Sequence, residues 1–284
     1  MTLATTAALI EAARHARRGV AAFNVITLEH AEAIAAGAEA AGHPAVLQLS
    51  ENAVRYHGGR LRPLAAAAVA VADQAGVPMA VHLDHVENAD LMREAVDHGI
   101  SSVMFDASTL PYDDNVAATR AAAEWASANG VWLEAELGEI GGKDGAHAPG
   151  VRTDPAEALA FVEATGVDGL AVAVGSSHAM VDRTAALDLD LIRRLAATLP
   201  VPLVLHGSSG VPDDTLRAAV ASGMVKINIG TILNVTLTAA VRTALADPAV
   251  VDPRRYLGPG RDAVALEVRR LLDVLRGAGP TSPS

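Results

Sequence analysis

The tetrapeptide His82-Leu83-Asp84-His85 places three titratable side chains directly after the apolar run at residues 77–81. That run is short, and it follows a Gly-Val-Pro turn, a pattern that predicts a buried strand. Titratable side chains at the end of a buried strand are costly unless they are paired or bind a metal ion. Neutral imidazole is a common zinc ligand, and a neighbouring carboxylate can carry a proton. The tetrapeptide therefore indicates metal and acid–base chemistry, with hydrogen-bonded histidines at a solvated strand end as the alternative.

Seven further apolar runs alternate with helical segments along the chain. The predicted strands lie at residues 20–25, 44–50, 77–81, 102–106, 131–137, 169–174, 202–206 and 225–229. This alternation predicts an α/β protein, a single-domain (β/α)8 TIM barrel over residues 1–276, with a disordered tail at 277–284. An open doubly wound sheet is the alternative, but it usually carries a glycine-rich fingerprint after its first strand, and Phe23-Asn24-Val25 has none.

Polar residues end most of these strands, and in a parallel barrel those ends share one rim, where barrel enzymes place their chemistry. The rim collects Asn24, Ser50, Asp84, His85, Asp106, Glu134, Glu136, His178, His206 and Asn228. Three histidines from three strands, with one open coordination position, would make a catalytic zinc site. These are His85, His178 and His206, and three separately hydrogen-bonded histidines are the alternative.

The other rim residues are assigned supporting parts. Asp106 and Glu136 could bind a second or displaced metal ion, whereas Glu134 is expected to support the ligands. His82 is expected to be a hydrogen-bonded structural residue. A regular strand cannot point both Asp84 and His85 inward, so one of them is expected to follow the turn.

Two glycine- and hydroxyl-rich loops follow the seventh and eighth strands. They read Gly207-Ser208-Ser209-Gly210 and Asn228-Ile229-Gly230-Thr231. Many barrels bind phosphate at this pair of strands through backbone N–H groups and hydroxyls. The loops together therefore predict a phosphate site.

Composition restricts the remaining possibilities. Hydrophobic residues make up 51% of the 284 residues and aromatic residues only 3%, which predicts an aliphatic core. A formal charge of −11 argues against a nucleic-acid partner or an anionic membrane surface. Without cysteines, any metal ion must be held by His, Asp and Glu. The N-terminal region lacks a signal-peptide pattern, and the longest apolar run is far shorter than the roughly 20 residues that cross a bilayer, so a cytoplasmic protein is expected.

These motifs resemble the class II, metal-dependent ketose-bisphosphate aldolases of the fructose- and tagatose-bisphosphate type. The resemblance extends from residues 21–24 to 253–259 and is most specific at 82–85, 134–138, 205–207 and 226–228. It implies Zn²⁺ on His85, His178 and His206, with Asp84 as the acid that protonates the aldehyde oxygen. It also implies an additional divalent or monovalent cation at Asp106 and Glu136. The substrate-contacting set it implies is Asn24, Ser50, Ala179, Gly207, Ser208, Ser209, Asn228, Ile229, Gly230 and Thr231, with Asn228 near the enediolate.

Two positions depart from the family pattern. Ala179 stands where the family usually has glycine after the second zinc histidine. The predicted mobile loop at 141–150 carries Lys143 and Asp144 in place of an acidic cluster, which leaves Asp144 as the candidate that moves the proton at the enediolate carbon. These departures suggest that the metal chemistry is kept while substrate preference has moved.

The predicted function is reversible cleavage of a phosphorylated ketose, fructose 1,6-bisphosphate or similar, to dihydroxyacetone phosphate and an aldehyde. Tagatose 1,6-bisphosphate and a deoxy-keto-sugar-acid phosphate are alternative substrates. Lys226 as a Schiff-base lysine, a metal-dependent hydrolase and a non-catalytic sugar-phosphate-binding barrel are competing interpretations. A homodimer or homotetramer is expected, with Arg254, Arg255 and Arg261 either binding the second phosphate or lying on the surface.

Overall fold

A computed structural model describes residues 2–137, 152–176 and 183–276. Eight parallel strands form a closed barrel in sequential order, and β1 pairs with β8 to complete the ring. They are β1 (Val20–Asn24), β2 (Ala45–Ser50), β3 (Met79–Val86), β4 (Ser102–Phe105), β5 (Trp132–Glu136), β6 (Gly169–Ala171), β7 (Leu203–Leu205) and β8 (Met224–Ile229). The predicted (β/α)8 barrel is confirmed, and the open sheet is excluded.

Helices surround the barrel in the described part of the chain. They are α1 (Thr6–Ala16), α2 (Leu28–Ala41), α3 (Glu51–Tyr56), α4 (Leu61–Gln74), α5 (Ala89–Asp97), α6 (Tyr112–Ala128), α7 (Pro155–Thr165), α8 (Leu189–Thr198), α9 (Asp213–Ser222), α10 (Thr231–Ala244) and α11 (Pro253–Leu275). Side-chain oxygens of Asn88, Asp154 and Asp188 accept backbone N–H groups at the starts of α5, α7 and α8, which fixes where these helices begin. Within the described ranges, no helix combines the length and apolarity needed to cross a membrane.

Mostly small and aliphatic side chains fill the amino-terminal part of the barrel, as the low aromatic content predicts. Its interior holds Ala22, Val46, Ala80, Met104, Ala171 and Val204, and Leu9, Ile10 and Ala13 of α1 join the same buried cluster. Helix α1 therefore closes the amino-terminal end of the barrel. The opposite end, where the strands finish, stays open.

Helix α11 packs along α2 on the outside of the ring. The helices approach so closely at Gly37 that an added Cβ would lie 2.6 Å from the Ala265 carbonyl oxygen and 2.7 Å from Val268. The backbone N–H of Gly19 donates to the Leu275 carbonyl, 3.1 Å away, which joins the end of α11 to the start of β1. Glycine at 37 is thus required by the helix crossing.

Candidate active site

The end of β3 shows how Asp84 and His85 both come to face the open end of the barrel. The pairing of β3 with β4 shifts between Leu83 and Val86. His85 has a φ of 48°, in the left-handed region that costs a non-glycine residue roughly 1–2 kcal/mol. His85 is therefore the residue that follows the turn, and Asp84 keeps its regular inward direction.

Two imidazole rings meet across the barrel with their nitrogens facing each other. His85 Nε2 and His206 Nδ1 are 3.0 Å apart. The opposite nitrogens face carboxylates: His85 Nδ1 lies 2.8 Å from Asp106 Oδ2, and His206 Nε2 lies 2.9 Å from Glu134 Oε1. An ionised carboxylate only accepts hydrogen bonds, so those outer nitrogens carry hydrogen. The inner nitrogens share a hydrogen bond with each other, and a metal ion between the rings would take its place and bind their lone pairs. Tetrahedral zinc with bonds of about 2.05 Å would separate two nitrogens by about 3.3 Å, which this gap nearly matches.

The charges around His85 favour a cation between the rings. Burial alone would lower the pKa of His85, but the carboxylates of Asp84, Asp106 and Glu136 outweigh it and raise that pKa to about 10. Burial would likewise raise the pKa of Asp106, yet its hydrogen bonds with His85 and Ser108 bring that pKa below its usual value. The site therefore carries excess negative charge, which a bound cation would neutralise.

Two sets of side chains could each hold a metal ion, because the donor atoms within each set all lie within 4.8 Å of one another. One set is Asp84, His85 and His206, and the other is His85, Asp106 and Glu136. The first corresponds to the predicted zinc position and the second to the predicted additional cation. The third predicted zinc ligand, His178, lies outside the described residues and stays a prediction.

Asp84 is a buried carboxyl group beside the metal position. Its side chain accepts from Gln48 Nε2 at 3.0 Å, and the Asn228 amide approaches at 3.5 Å. Burial raises the pKa of Asp84, although the charges of His85 and Lys226 act in the opposite direction. A buried carboxyl group that lines the cavity can act as a general acid or base toward a bound substrate.

A cavity of about 430 Å³ opens above these residues. It brings together most of the predicted site, namely Asn24, Ser50, Asp84, His85, Asp106, His206, Gly207, Ser208, Ser209, Asn228, Gly230 and Thr231. Sequence reasoning missed Gln48, Glu51, Asn52, Arg55, Glu87 and Asn234, which also line it. Gln48 could have been found, since it lies two residues before Ser50 and so shares its face of β2.

The two predicted phosphate loops lie side by side at the cavity wall. The Ser208 hydroxyl donates to the Asn228 carbonyl at 2.5 Å, and Ser209 Oγ accepts the Ile232 N–H at 3.2 Å. Helix α10 begins directly after Gly230, where an added Cβ would lie 2.8 Å from Asn24 Nδ2. Backbone N–H groups at this helix start can bind an anion. Ile229 is buried in β8 and does not line the cavity.

A family model described as "Fructose-bisphosphate aldolase class-II" matches residues 4–280. The chain belongs to the class II fructose-bisphosphate aldolase family. It is therefore an aldolase, a carbon–carbon lyase, in a family that is metal-dependent and acts on phosphorylated sugars.

Similar proteins span the whole length of this aldolase. The fructose-bisphosphate aldolase of Geobacillus stearothermophilus is 39% identical over 272 residues, which cover 94% of this chain and 95% of that protein. That of Thermus caldophilus is 37% identical over 305 residues, covering 98% and 99%. Among solved structures, the YdjI aldolase from Escherichia coli K12 superposes with a TM-score of 0.85 at 28% identity, covering 99% of this chain and 100% of that one.

Lys226 of this class II aldolase lies beneath the cavity and does not line it. Its side chain is fully buried, and Nζ lies 2.7 Å from Glu134 Oε2. A Schiff-base lysine must reach the substrate carbonyl, so this position argues against the covalent alternative.

The predicted arginines are also away from the cavity lining. Arg254 pairs with Asp252 at 2.6 Å, and Arg261 pairs with Glu32 at 2.9 Å. Asp144, Lys143 and Ala179, like the tail at 277–284, lie outside the described residues.

Proposed function

We propose that this aldolase cleaves a phosphorylated ketose, fructose 1,6-bisphosphate or a close relative, into dihydroxyacetone phosphate and an aldehyde, with Zn²⁺ held by His85, His178 and His206. The observation that carries the proposal is the pair of imidazole nitrogens facing each other at 3.0 Å, each ring held by a carboxylate at its other nitrogen. Carboxylate–histidine pairs of this kind orient zinc ligands in proteins.

Bound zinc supplies a Lewis acid that stabilises the negative charge arising on the ketone oxygen. Asp84 takes the proton from the C4 hydroxyl as the C3–C4 bond breaks and its electron pair moves to C3. The aldehyde then leaves, and C3 of the remaining enediolate is protonated, a step we assign to Asp144. In the reverse direction Asp84 returns its proton to the aldehyde oxygen. We assign to the Asn228 amide, whose Nδ2 lies 3.5 Å from Asp84 Oδ1, a hydrogen bond to the enediolate.

The phosphate of the ketone half is assigned to the loops after β7 and β8. Ser208, Ser209 and Thr231 supply hydroxyls there, and the start of α10 supplies backbone N–H groups. Asn24, beside Gly230, and Ser50 also line the cavity, where they can contact the sugar hydroxyls. We assign the additional cation to Asp106 and Glu136.

The oligomeric state and the location of the protein are proposals as well. We propose a homodimer or homotetramer in which Arg254, Arg255 or Arg261 reaches a neighbouring subunit's site to bind the second phosphate. We also propose a cytoplasmic location, which agrees with a phosphorylated sugar substrate.

The test is the zinc content of the purified protein, followed by cleavage assays on fructose 1,6-bisphosphate, tagatose 1,6-bisphosphate and a deoxy-keto-sugar-acid phosphate. Release of dihydroxyacetone phosphate by the parent protein, lost in His206→Ala, is the expected result. His15→Ala is the matched control because that side chain is 79% exposed. Release of inorganic phosphate without a ketone product would instead favour a metal-dependent hydrolase.

A further inference from the structure

We propose that Lys226 is a positioning residue for the metal site. Its ammonium group orients Glu134, and Glu134 in turn fixes the hydrogen on His206 so that Nδ1 presents its lone pair to zinc. This inference rests on the zinc site proposed above and assigns a task to a buried lysine that the reaction itself does not use.

Contacts on both oxygens of Glu134 carry the proposal. Oε1 lies 2.9 Å from His206 Nε2, and Oε2 lies 2.7 Å from Lys226 Nζ. The side chains of all three residues are fully buried, so no bulk water competes for these hydrogen bonds. Lys226 therefore sets the direction of the carboxylate that faces His206.

Glu134 decides which nitrogen of His206 carries hydrogen. Asn228 Nδ2 also lies 3.0 Å from His206 Nε2, whereas Asn228 Oδ1 is buried and accepts no hydrogen bond from the described residues. In this orientation the amide would donate to Nε2, and in the rotated orientation its oxygen would accept from Nε2–H. An amide can present either its oxygen or its nitrogen by rotating, so it can accompany either tautomer. A carboxylate can only accept, and the Lys226 ammonium can only donate to it. Lys226 therefore donates to one oxygen of Glu134, and His206 Nε2 donates to the other.

Lys226 is itself held from below. Its Nζ lies 3.4 Å from His82 Nε2, and His82 Nδ1 lies 2.8 Å from Ser102 Oγ. The Ser102 hydroxyl donates to Thr6 Oγ1 at 2.5 Å, at the start of α1. A continuous line of hydrogen bonds therefore connects the metal site with the helix that closes the other end of the barrel, and His82 has the structural role expected for it.

Stability alone does not explain this buried ion pair. Barrel interiors are usually filled by branched aliphatic residues. Replacing a buried ion pair by apolar residues of similar volume is often neutral or stabilising. A lysine and a glutamate here are better explained by the orientation they give to His206.

The test is a double-mutant cycle with Lys226→Met, Glu134→Leu and the two combined. Zinc affinity is measured by competition with a chromophoric chelator, and the His206 tautomer by ¹⁵N NMR of the imidazole nitrogens. Each single variant is expected to bind zinc about 10- to 100-fold more weakly and to lose the uniform Nε2–H tautomer. The combined variant should bind no more weakly than Glu134→Leu alone, because Lys226 acts through Glu134.

The combined variant also separates positioning from folding, since it leaves no unpaired buried charge and should unfold at no lower temperature than either single variant. Thr165→Val is the matched control: it removes a buried hydroxyl of α7, which donates to the Phe161 carbonyl at 2.7 Å outside this line, and should leave zinc affinity unchanged. Additive losses in the cycle, or full zinc affinity in the combined variant, would overturn the proposal. A parent protein that binds zinc but cleaves no ketose phosphate would overturn the proposed function alone.

Discussion

Replacing Asp84 by Asn would remove a proton-transfer group while keeping its volume. The Asp84 side chain is 3% exposed and receives a hydrogen bond from Gln48 Nε2 at 3.0 Å. An amide in its place can still accept that bond, so the cavity should keep its shape. What is lost is the proton that passes between this carboxyl group and the C4 oxygen.

A positioned general acid or base typically contributes a factor of about 10²–10⁴, or roughly 3–5 kcal/mol of barrier. Because Asp84 is shielded from solvent, water cannot readily take its place, and we expect a loss toward the upper end of that range in kcat for cleavage. KM should change far less, since the groups assigned to the phosphate are the hydroxyls of Ser208, Ser209 and Thr231 and the backbone N–H groups at the start of α10.

The assay compares two reactions of the same variant. Cleavage is followed by coupled detection of dihydroxyacetone phosphate, and enolisation by exchange of the α-proton of dihydroxyacetone phosphate into deuterated water. Exchange requires no proton on the aldehyde oxygen, so Asp84→Asn should retain it along with bound zinc. Asp90→Asn, a substitution at an 88% exposed position, is the matched control. Equal losses of exchange and cleavage, or loss of the metal ion, would refute the assigned role.

Three further outcomes are expected. Dialysis against a chelator should abolish cleavage, and added Zn²⁺ should restore it; activity that survives verified metal removal would contradict the mechanism. Gly230→Ala should raise KM by displacing Asn24, whose Nδ2 would lie 2.8 Å from the new Cβ, and an unchanged KM would show that the wall adapts. Burial would raise the pKa of Asp213, but hydrogen bonds from Arg270 and Arg183 hold that pKa below its usual value. Its stabilising effect is therefore present above the carboxyl pKa of the unfolded chain, about 3.9, and is lost as the pH falls further. Urea unfolding of the parent and Asp213→Asn should accordingly differ at pH 6 and converge toward pH 3, and a difference independent of pH would exclude this cause.

The sequence was sufficient to predict the barrel because eight short, mostly apolar segments alternate with helical segments along the chain. It was not sufficient for α3, since Ser50 both ends β2 and caps the helix by accepting the Ala53 N–H at 3.1 Å. That helix has six residues, too few for a helical period to emerge beside a strand signal.

Parallel strand ends alone were enough to predict that Asn24 and Asn228 would line one cavity. The sequence predicted that Asp84 or His85 would follow the turn, but not that His85 would do so with a left-handed backbone, because that depends on the shifted pairing of β3 with β4. Nor could strand alternation show that Glu134 would face Lys226 and His206, since that contact depends on how deep each residue lies in the closed ring.

Because β1 pairs with β8, the ribosome must release the chain through Ile229 before the ring can close. Until then the nascent protein carries two open strand edges, whose unpaired N–H and C=O groups can template aggregation. Helix α11 reaches its groove against α2 later still, and only then does Gly19 bond to Leu275. At synthesis rates of about 5–20 residues per second, the segment from Ile229 to Leu275 takes several seconds to make, and during that time the barrel lacks the helix that packs against α2.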